Sequence, residues 1–358
     1  MATLFLHIGH SKTGSSYLQA CALESRNALE EKGIHYPDPT TRTSGIFASF
    51  PHGNGVVLRN YLTGKLDAPT FPSDRDCLIS NEGLFFELTD ASKMDMLVAW
   101  ARSSGFEKTE MLLFVRDPVD DMVSLYRQKV KSGETTESLK DYATHYTKPK
   151  LVKRLIDAAG KYPDINLTLR NYSKVKRSLV EAFAEWLGVP ANSLAAPAQK
   201  VVNRSLSEDE LETLKILNRH VGKDSRFAGL QLCADLPELD AGTLYVEQAS
   251  IDDIYDVNRD AIDTVNRALP DGEHYAQKPT AEVRETERGD NVTLSTTQLD
   301  CIFAAMTKRT VELQEKIDQL KEKNRELNQK QKKVRERLQK LRGNSKRGNE
   351  EASEAGTT

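Results

Sequence analysis

The sequence lacks the features of a membrane-spanning or exported protein. No run of about 18 apolar residues occurs, and a helix needs about that many to cross a bilayer. The amino-terminal segment does not have the charged, apolar and cleavage-site order of a signal peptide. Its four cysteines are far apart and show neither a metal-ligand spacing nor a disulfide framework. We therefore expect a cytoplasmic protein with no structural metal.

Charge is distributed unevenly along the 358 residues. Hydrophobic residues make up 38% of the chain, enough for a core, while the mean hydropathy of -0.55 indicates a strongly polar segment. Residues 307–347 hold 15 lysines and arginines against 6 acidic residues, a net charge of +9. Residues 1–306 carry a net charge of -9. The body and the carboxyl-terminal segment are thus electrostatically different.

The basic segment has the heptad pattern of a coiled coil. Mostly apolar residues recur at alternating steps of four and three, and neither glycine nor proline interrupts them before Gly343. This predicts a linker at 271–295, a coiled coil at 296–342 and a disordered tail at 343–358. A homodimer would form through residues 299–341; a single helix lying on the body is the alternative. The core positions are Leu299, Phe303, Met306, Thr310, Leu313, Ile317, Leu320, Asn324, Leu327, Gln331, Val334, Leu338 and Leu341.

A positively charged coiled coil also suggests a class of partner. It could contact an anionic glycan or the inner membrane surface. In the second case the protein would be peripheral to that membrane. The alternative is that the charge only keeps a long helix soluble. No aromatic interleaving and no nucleic-acid motif accompanies the charge. We therefore do not expect specific binding of nucleic acid.

Short apolar runs alternate with helical patterns in the body. The runs at 3–8, 77–80, 111–115 and 165–169 read as strands. This alternation predicts an α/β domain over 1–270, with a parallel sheet covered by helices on both faces. Residues 35–75 read as loops. Helices are expected near 15–32, 92–104, 118–131, 137–160, 173–187, 207–221 and 252–268.

The first strand leads into a loop that could bind an oxyanion. The segment that follows this strand and leads into the next helix contains Lys12, Thr13, Gly14, Ser15 and Ser16. At such a place the backbone amides and the helix dipole point at one small volume. The lysine adds charge, the glycine permits close approach, and the hydroxyls donate hydrogen bonds. An ordinary turn before a capped helix is the alternative.

A second motif follows the strand at 111–115. Arg116 lies at the strand end, Asp117 and Pro118 suit a helix start, and Ser124 falls opposite the apolar stripe of that helix. Parallel sheets bind ligands beyond the carboxyl ends of their strands, so Arg116 and Ser124 could face a ligand there. An ion pair between Arg116 and Asp120 with a solvent-exposed serine is the alternative.

Together, these two motifs resemble those of the sulfotransferase family that uses 3′-phosphoadenosine 5′-phosphosulfate, PAPS. The segment from Lys12 to Ser16 is similar to the 5′-phosphosulfate loop of the family, and Arg116 with Ser124 to its 3′-phosphate site. The resemblance covers residues 3–222 and implies a three-layer, P-loop-like fold, PAPS as donor and no metal requirement. The Arg-Lys-Gly segment of animal cytosolic members is absent.

The resemblance also implies roles for further residues. Glu82, in a Ser-x-Glu segment after the second strand, is similar to the general base of glycan-modifying members. His10 is the rival base. Asn203, Arg204 and Ser205 are similar to a nucleotide-side loop, although Ser207 and Glu210 there also form a capping-box pattern.

The function expected from these motifs is transfer of a sulfuryl group from PAPS to an acceptor hydroxyl, on a carbohydrate or glycolipid. Lys12 would neutralise the charge that develops on the leaving oxygen. A small-molecule kinase is one alternative, but Lys12 precedes Gly14, whereas in the nucleotide triphosphatase loop the lysine follows the glycine. A coiled-coil scaffold with a degenerate nucleotide-binding fold is the other.

Overall fold

A parallel β-sheet forms the centre of the body. The structure is a computed structural model that describes residues 2–10, 12–37, 53–72, 74–197, 204–242, 244–276 and 291–354. All four neighbouring strand pairs are parallel, and the order across the sheet is β2-β3-β1-β4-β5. The predicted α/β class with a parallel sheet is confirmed. The strands are β1 (Ala2–His7), β2 (Ile34–His35), β3 (Asp76–Ser80), β4 (Phe106–Val115) and β5 (Ile165–Asn171).

Fourteen α-helices are present in the described ranges. They are α1 (Ser15–Glu24), α2 (Arg26–Glu31), α3 (Val56–Leu62), α4 (Gly83–Leu88), α5 (Ala91–Ser103), α6 (Pro118–Lys131), α7 (Leu139–Thr144), α8 (Lys148–Ala159), α9 (Tyr172–Val175), α10 (Leu179–Leu187), α11 (Glu208–Val221), α12 (Arg226–Asp235), α13 (Gln248–Ala268) and α14 (Thr296–Glu354). None of the described helices is long and apolar enough to cross a membrane.

Successive strand residues are buried on opposite faces of the sheet, as the two-residue period of a strand requires. Leu4 and Leu6 of β1 belong to a cluster that includes side chains of α3, α4, α5, α8 and α13. Phe5, between them, belongs to a second cluster with side chains of α1, α2 and α10. Both faces of the sheet are therefore buried, which explains why its strands read as continuous apolar runs.

A third apolar cluster joins α6, α11, α12 and α13 to the start of α14. Cys301, Ile302 and Ala305 are its contributions from α14. Farther along this helix, core positions of the predicted coiled coil are exposed, including Ile317, Leu320, Leu327 and Val334. Of the α14 side chains that the structure describes, those at the beginning of the helix therefore pack on the body.

Several element boundaries differ from those expected. Helix α3 lies within residues 35–75, which the sequence predicts as loops. Helix α12 lies in a segment for which no helix is predicted. The predicted helix at 137–160 is divided into α7 and α8, because Pro149 in the first turn of α8 has no N–H to donate and suits a helix start. Helix α14 continues beyond residue 343, where the sequence predicts a disordered tail, as far as Glu354.

The start of the expected linker is part of the body. Glu273 accepts hydrogen bonds from the side chain of Arg170 and the backbone N–H of Asn171, both at 2.8 Å. Tyr275 is buried against the sheet, and the N–H of Ala276 donates to Asp117 at 3.2 Å. Of the remaining linker, only 291–295 lies within the described residues.

Candidate anion-binding cleft

The centre of the sheet places the two predicted motifs beside each other. From β1 the chain winds first to β2 and β3 on one side and then to β4 and β5 on the other. Strands β1 and β4 are hydrogen-bonded neighbours, and the pairing continues past β1, where the N–H of Ile8 donates to Leu112 O at 3.0 Å. A reversal of winding opens a crevice at the carboxyl ends of the strands. The loop after β1 and the start of α6 therefore lie at one crevice.

The loop between β1 and α1 has an unusual backbone. Lys12 has a φ of 66° and is the one non-glycine residue with positive φ in the described ranges. Gly14 has a φ of 80°, which strains any larger residue, and a Cβ there would lie 2.5 Å from Leu179 Cδ2, so that this leucine would have to shift. Non-glycine residues rarely adopt such a conformation. The surrounding structure therefore has to hold the loop in its shape.

Hydroxyl groups of the loop bond back to it. Thr13 Oγ1 donates to His10 O at 2.7 Å, and Ser15 Oγ is 3.4 Å from the same oxygen. Both residues are buried, whereas Ser16 on the first turn of α1 is half-buried. The helix has no side-chain cap, because Gly14 occupies the N-cap position. In this state the Thr13 and Ser15 hydroxyls stabilise the loop itself.

A cleft of about 300 Å³ brings Lys12, Arg116 and Ser124 together. Lys12 comes from the loop, Arg116 from the end of β4, and Ser124 from α6. The lining contains five cationic side chains, and Asp120 is its one acidic residue in the described ranges. The full lining is Lys12, Arg116, Asp120, Val123, Ser124, Arg127, Gln128, Lys131, Arg204, Ser205, Leu206, Gly242 and Leu244.

The cations in this cleft repel each other. Burial lowers the pKa of Lys12, and the charges of Lys131 and Arg116 lower it further, whereas Glu82 and Cys233 raise it. Burial and Arg116 likewise lower the pKa of Arg127. An anion bound among these groups relieves the repulsion and replaces lost hydration. The cleft is therefore suited to a ligand with more than one negative charge.

Two cations of the cleft, Arg127 and Lys131, were not predicted. They follow Ser124 on α6 at spacings of three and seven residues, so they share one helix face with it. Arg127 donates from Nη2 to Gly242 O at 3.2 Å, while its Nε is buried with no hydrogen-bond partner among the described residues. The helical spacing from Ser124 was the signal that could have identified both residues.

Glu82 lies beside the loop on its β3 side. A Cβ on Gly9 would be 3.1 Å from Glu82 Cγ and 2.4 Å from Ser15 Oγ, which shows how closely these residues approach. Glu82 is at the N-cap position of α4 but makes no capping bond; Asn81 Oδ1 instead accepts from the N–H of Gly83 at 2.8 Å. Glu82 is half-buried. Its carboxylate therefore has no helix-capping role.

His10 is placed less favourably for proton transfer to a substrate. Its side chain is 2% exposed and packs against Phe85, with the ring centroids 5.2 Å apart. Its Nδ1 lies 3.4 Å from Lys148 Nζ. His7, by comparison, is fully buried at the end of β1, and burial lowers its pKa to about 4. Of Glu82 and His10, Glu82 is the more accessible.

Arg204 lines the cleft, but its guanidinium has an internal partner. Both terminal nitrogens donate to the carboxylate of Glu210 at 2.8 Å, and Nη2 also donates to Leu232 O at 3.0 Å. The capping box of Ser207 and Glu210 is present at the start of α11. Ser205 contributes to the lining, and Asn203 lies outside the described residues. The expectation that Arg204 binds nucleotide is therefore not supported by its geometry, because this arginine stabilises α11.

A second cleft, of about 950 Å³, lies between α8 and α13. It is larger, but Asp157, Asp260, Asp263 and Asp271 line it against Lys153 and Arg267. An acidic lining disfavours a polyanionic ligand. The smaller, basic cleft is therefore the candidate anion-binding site.

No protein-family model matches the chain, and no curated protein matches it.

The position of Arg204 predicts a stability effect. Arg204→Met leaves the Glu210 carboxylate buried and uncompensated, and we expect a loss of about 3–5 kcal/mol of unfolding free energy in urea titrations. The control Arg102→Met removes an exposed pair with Asp164 and should cost less than about 1 kcal/mol. Equal losses in the two variants would contradict the assignment.

The pH dependence of the same pair has a defined sign. Burial raises the pKa of Glu210, but hydrogen bonds from Arg204, Gln298 and Ser207 outweigh burial and lower it below its usual value of 4.5. The stabilisation is therefore complete above that value and is lost as the pH falls through the lowered pKa of the folded state. Arg204→Met should remove this part of the acid sensitivity.

Proposed function

We propose that the protein is a PAPS-dependent sulfotransferase that transfers a sulfuryl group to a hydroxyl of a carbohydrate or glycolipid. The observation that carries the proposal is the single basic cleft to which Lys12, Arg116 and Ser124 all contribute. These residues come from two chain segments, and in each segment they belong to the motif that resembles the family. Helices on both faces of a sheet with β1 at its centre are compatible with the three-layer, P-loop-like fold of the resemblance.

In this proposal the cleft binds the two anionic ends of the donor separately. Arg116 and Ser124 bind the 3′-phosphate, since a guanidinium donates two parallel hydrogen bonds to such a group. The loop binds the 5′-phosphosulfate through the backbone amides of residues 13–16. Lys12 neutralises the charge that develops on the bridging oxygen as the sulfur–oxygen bond breaks. Lys12 Nζ already donates to Gln128 Oε1 at 2.9 Å, on the wall of the cleft.

Glu82 is the proposed general base. It lies beside the loop, lacks a capping role, and is more accessible than His10. A carboxylate within hydrogen-bond reach of the acceptor hydroxyl takes its proton while the oxygen attacks sulfur. No metal is needed for this chemistry, because the cationic side chains supply the positive charge. Magnesium-dependent use of ATP would instead favour the kinase alternative.

Calorimetry with adenosine 3′,5′-bisphosphate, the product of the donor, tests the proposed site without metal. We expect binding that is at least about thirtyfold weaker in Arg116→Ala, since losing a charge-assisted contact to a buried anion costs ~2 kcal/mol or more. Adenosine 5′-phosphate should bind more weakly than the bisphosphate. The exposed Arg102→Ala is the matched control. A preference for ATP with magnesium, or no binding, would reject the proposal.

Substitution of the proposed base tests the chemical step. Glu82→Gln should lower the release of adenosine 3′,5′-bisphosphate from PAPS, with a mixture of carbohydrate acceptors, by about 10²-fold or more, because general base catalysis contributes about that much. Calorimetric affinity for the bisphosphate should change little. Glu107→Gln, at an exposed position of β4, is the control. Unchanged turnover in Glu82→Gln would assign the base elsewhere.

We further propose that two copies pair through α14, so that the dimer carries two clefts. The apolar positions Ile317, Leu320, Leu327 and Val334 are exposed in the single chain and lie on one seam. Of the α14 residues that dock on its own body, Cys301, Ile302 and Ala305 lie outside this seam, whereas Met306 is a seam position at the docked start of the helix. A helix can therefore pack on the body near its start and pair with a second copy farther along. The net positive charge of the paired helices would favour an anionic glycan or membrane surface as a further partner.

Equilibrium sedimentation of the full chain tests the pairing. Leu320→Lys with Leu327→Lys places two charges in the seam, and we expect a monomer at concentrations where the unmodified chain is a dimer. The control pair Gln319→Lys and Gln329→Lys adds the same charge off the seam and should stay dimeric. A monomeric unmodified chain, or dimers in both variants, would contradict pairing through this seam.

A further inference from the structure

Four polar side chains are buried together beneath the anion-binding loop. His10 belongs to the loop, Asp121 to α6, Lys148 to the start of α8, and Tyr146 to the segment just before α8. Their exposed fractions are 2%, 0%, 7% and 6%, respectively. Burying charges costs free energy unless they are paired and hydrogen-bonded. Neither the proposed donor site nor the proposed base uses Asp121, Tyr146 or Lys148.

The four side chains form one connected group, the buried cluster. Tyr146 Oη donates to Asp121 Oδ2 at 2.8 Å, and Lys148 Nζ lies 3.4 Å from the same oxygen. His10 Nδ1 lies 3.4 Å from Lys148 Nζ and 3.5 Å from Asp121 Oδ1. Asp121 Oδ1 has no hydrogen-bond partner within the described ranges. The imidazole nitrogen thus lies between an ammonium and a carboxylate oxygen, with no hydrogen bond to the latter.

Opposing effects act on the pKa of Lys148 in the buried cluster. Burial lowers the pKa of Lys148, and Asp121 raises it without fully cancelling that effect. Glu82 also raises this pKa and Arg116 lowers it, so the ammonium senses both the proposed base and the proposed phosphate-binding arginine. Asp121 and Lys148 therefore lie close to the candidate site, and their contact is not a remote packing contact.

His10 connects the buried cluster to the shape of the loop. Its carbonyl oxygen accepts hydrogen bonds from Thr13 Oγ1 at 2.7 Å and Ser15 Oγ at 3.4 Å. These bonds span Lys12, which has the positive φ of 66°. A strained backbone conformation persists only when its surroundings fix it. The backbone carbonyl of His10 thus bonds to the loop hydroxyls, while its imidazole contacts Lys148 and lies near Asp121.

We propose that Asp121, Tyr146 and Lys148 are positioning residues that hold His10, and through it the anion-binding loop, in the shape that accepts a ligand. The identity of that ligand rests on the proposed function, but the shape of the loop does not. The competing explanation is that Asp121 and Lys148 serve only to stabilise α6 against α8. The two explanations differ in what happens when both charges are removed together.

Hydrogen exchange of the full chain, measured by mass spectrometry, separates the two explanations. Asp121→Asn or Lys148→Met alone leaves one buried charge uncompensated, so we expect a lower midpoint of urea unfolding. The double variant removes both charges and should recover much of this stability. If the residues position the loop, amides in peptides covering residues 8–16 exchange at least tenfold faster in the double variant despite the recovery.

A double variant with recovered stability and unchanged exchange in residues 8–16 would overturn the proposal. If the double variant does not fold, Tyr146→Phe decides, because it removes only the hydroxyl that donates to Asp121. We expect at least threefold faster exchange of the same amides in Tyr146→Phe, and no change would reject the proposal. The control is Arg102→Met with Asp164→Asn, which removes an exposed ion pair.

Calorimetry on the same proteins distinguishes failure of this inference from failure of the proposed function. If the unmodified chain does not bind adenosine 3′,5′-bisphosphate but loop exchange rises in the variants, the proposed function is wrong and the positioning role stands. If the bisphosphate binds with equal affinity to the unmodified chain and the double variant, and exchange is also unchanged, the positioning role is wrong. If both proposals are correct, the affinity for adenosine 3′,5′-bisphosphate falls at least tenfold in the double variant.

Discussion

The hydrogen-bonded pairing of β1 with β4 is the constraint on which the candidate site depends. Because the chain leaves β1 toward one side of the sheet and returns to the other, the ends of these two strands become neighbours. The loop with Lys12 and the helix with Ser124 each continue from one of these ends. The short distance between two segments more than a hundred residues apart is therefore a consequence of sheet topology. It does not require any direct attraction between them.

Like charges brought together by this topology carry an energetic cost. Burial, and in addition neighbouring cations, lower the pKa values of Lys12 and Arg127, so both effects disfavour the charged forms. Such a cost is tolerated where an anionic ligand offsets it. By contrast, Arg204 in the same wall has a carboxylate partner and its pKa is raised. The cleft thus combines Arg204, which is paired internally, with Lys12 and Arg127, whose charged forms are disfavoured by burial and neighbouring cations.

Local sequence signals were sufficient for four of the five strands, but they missed the two-residue strand β2 and were insufficient where the determinant is a distant partner. The apolar run at 111–115 and Pro118 predicted the end of β4 and the start of α6 correctly, because both signals are local. Nothing near Arg204 in the sequence reveals that the Leu232 carbonyl accepts from it. The burial of Asp121 and Lys148 was equally hidden, since a charged residue in a helix normally indicates the solvent side. Such partners are visible only after the chain has folded.

The continuity of α14 sets a length scale for the whole protein. At a rise of about 1.5 Å per residue, its 59 residues extend over roughly 90 Å, several times the diameter of a small domain. Arg309, near its start, is tied to Asp224 of the body at 3.0 Å. From Arg309 to Glu354 the helix extends about 70 Å beyond this contact. A ligand bound at the far end of the helix would have to be long or flexible, as extended polymers are, to contact the point at which Arg309 joins the helix to the body.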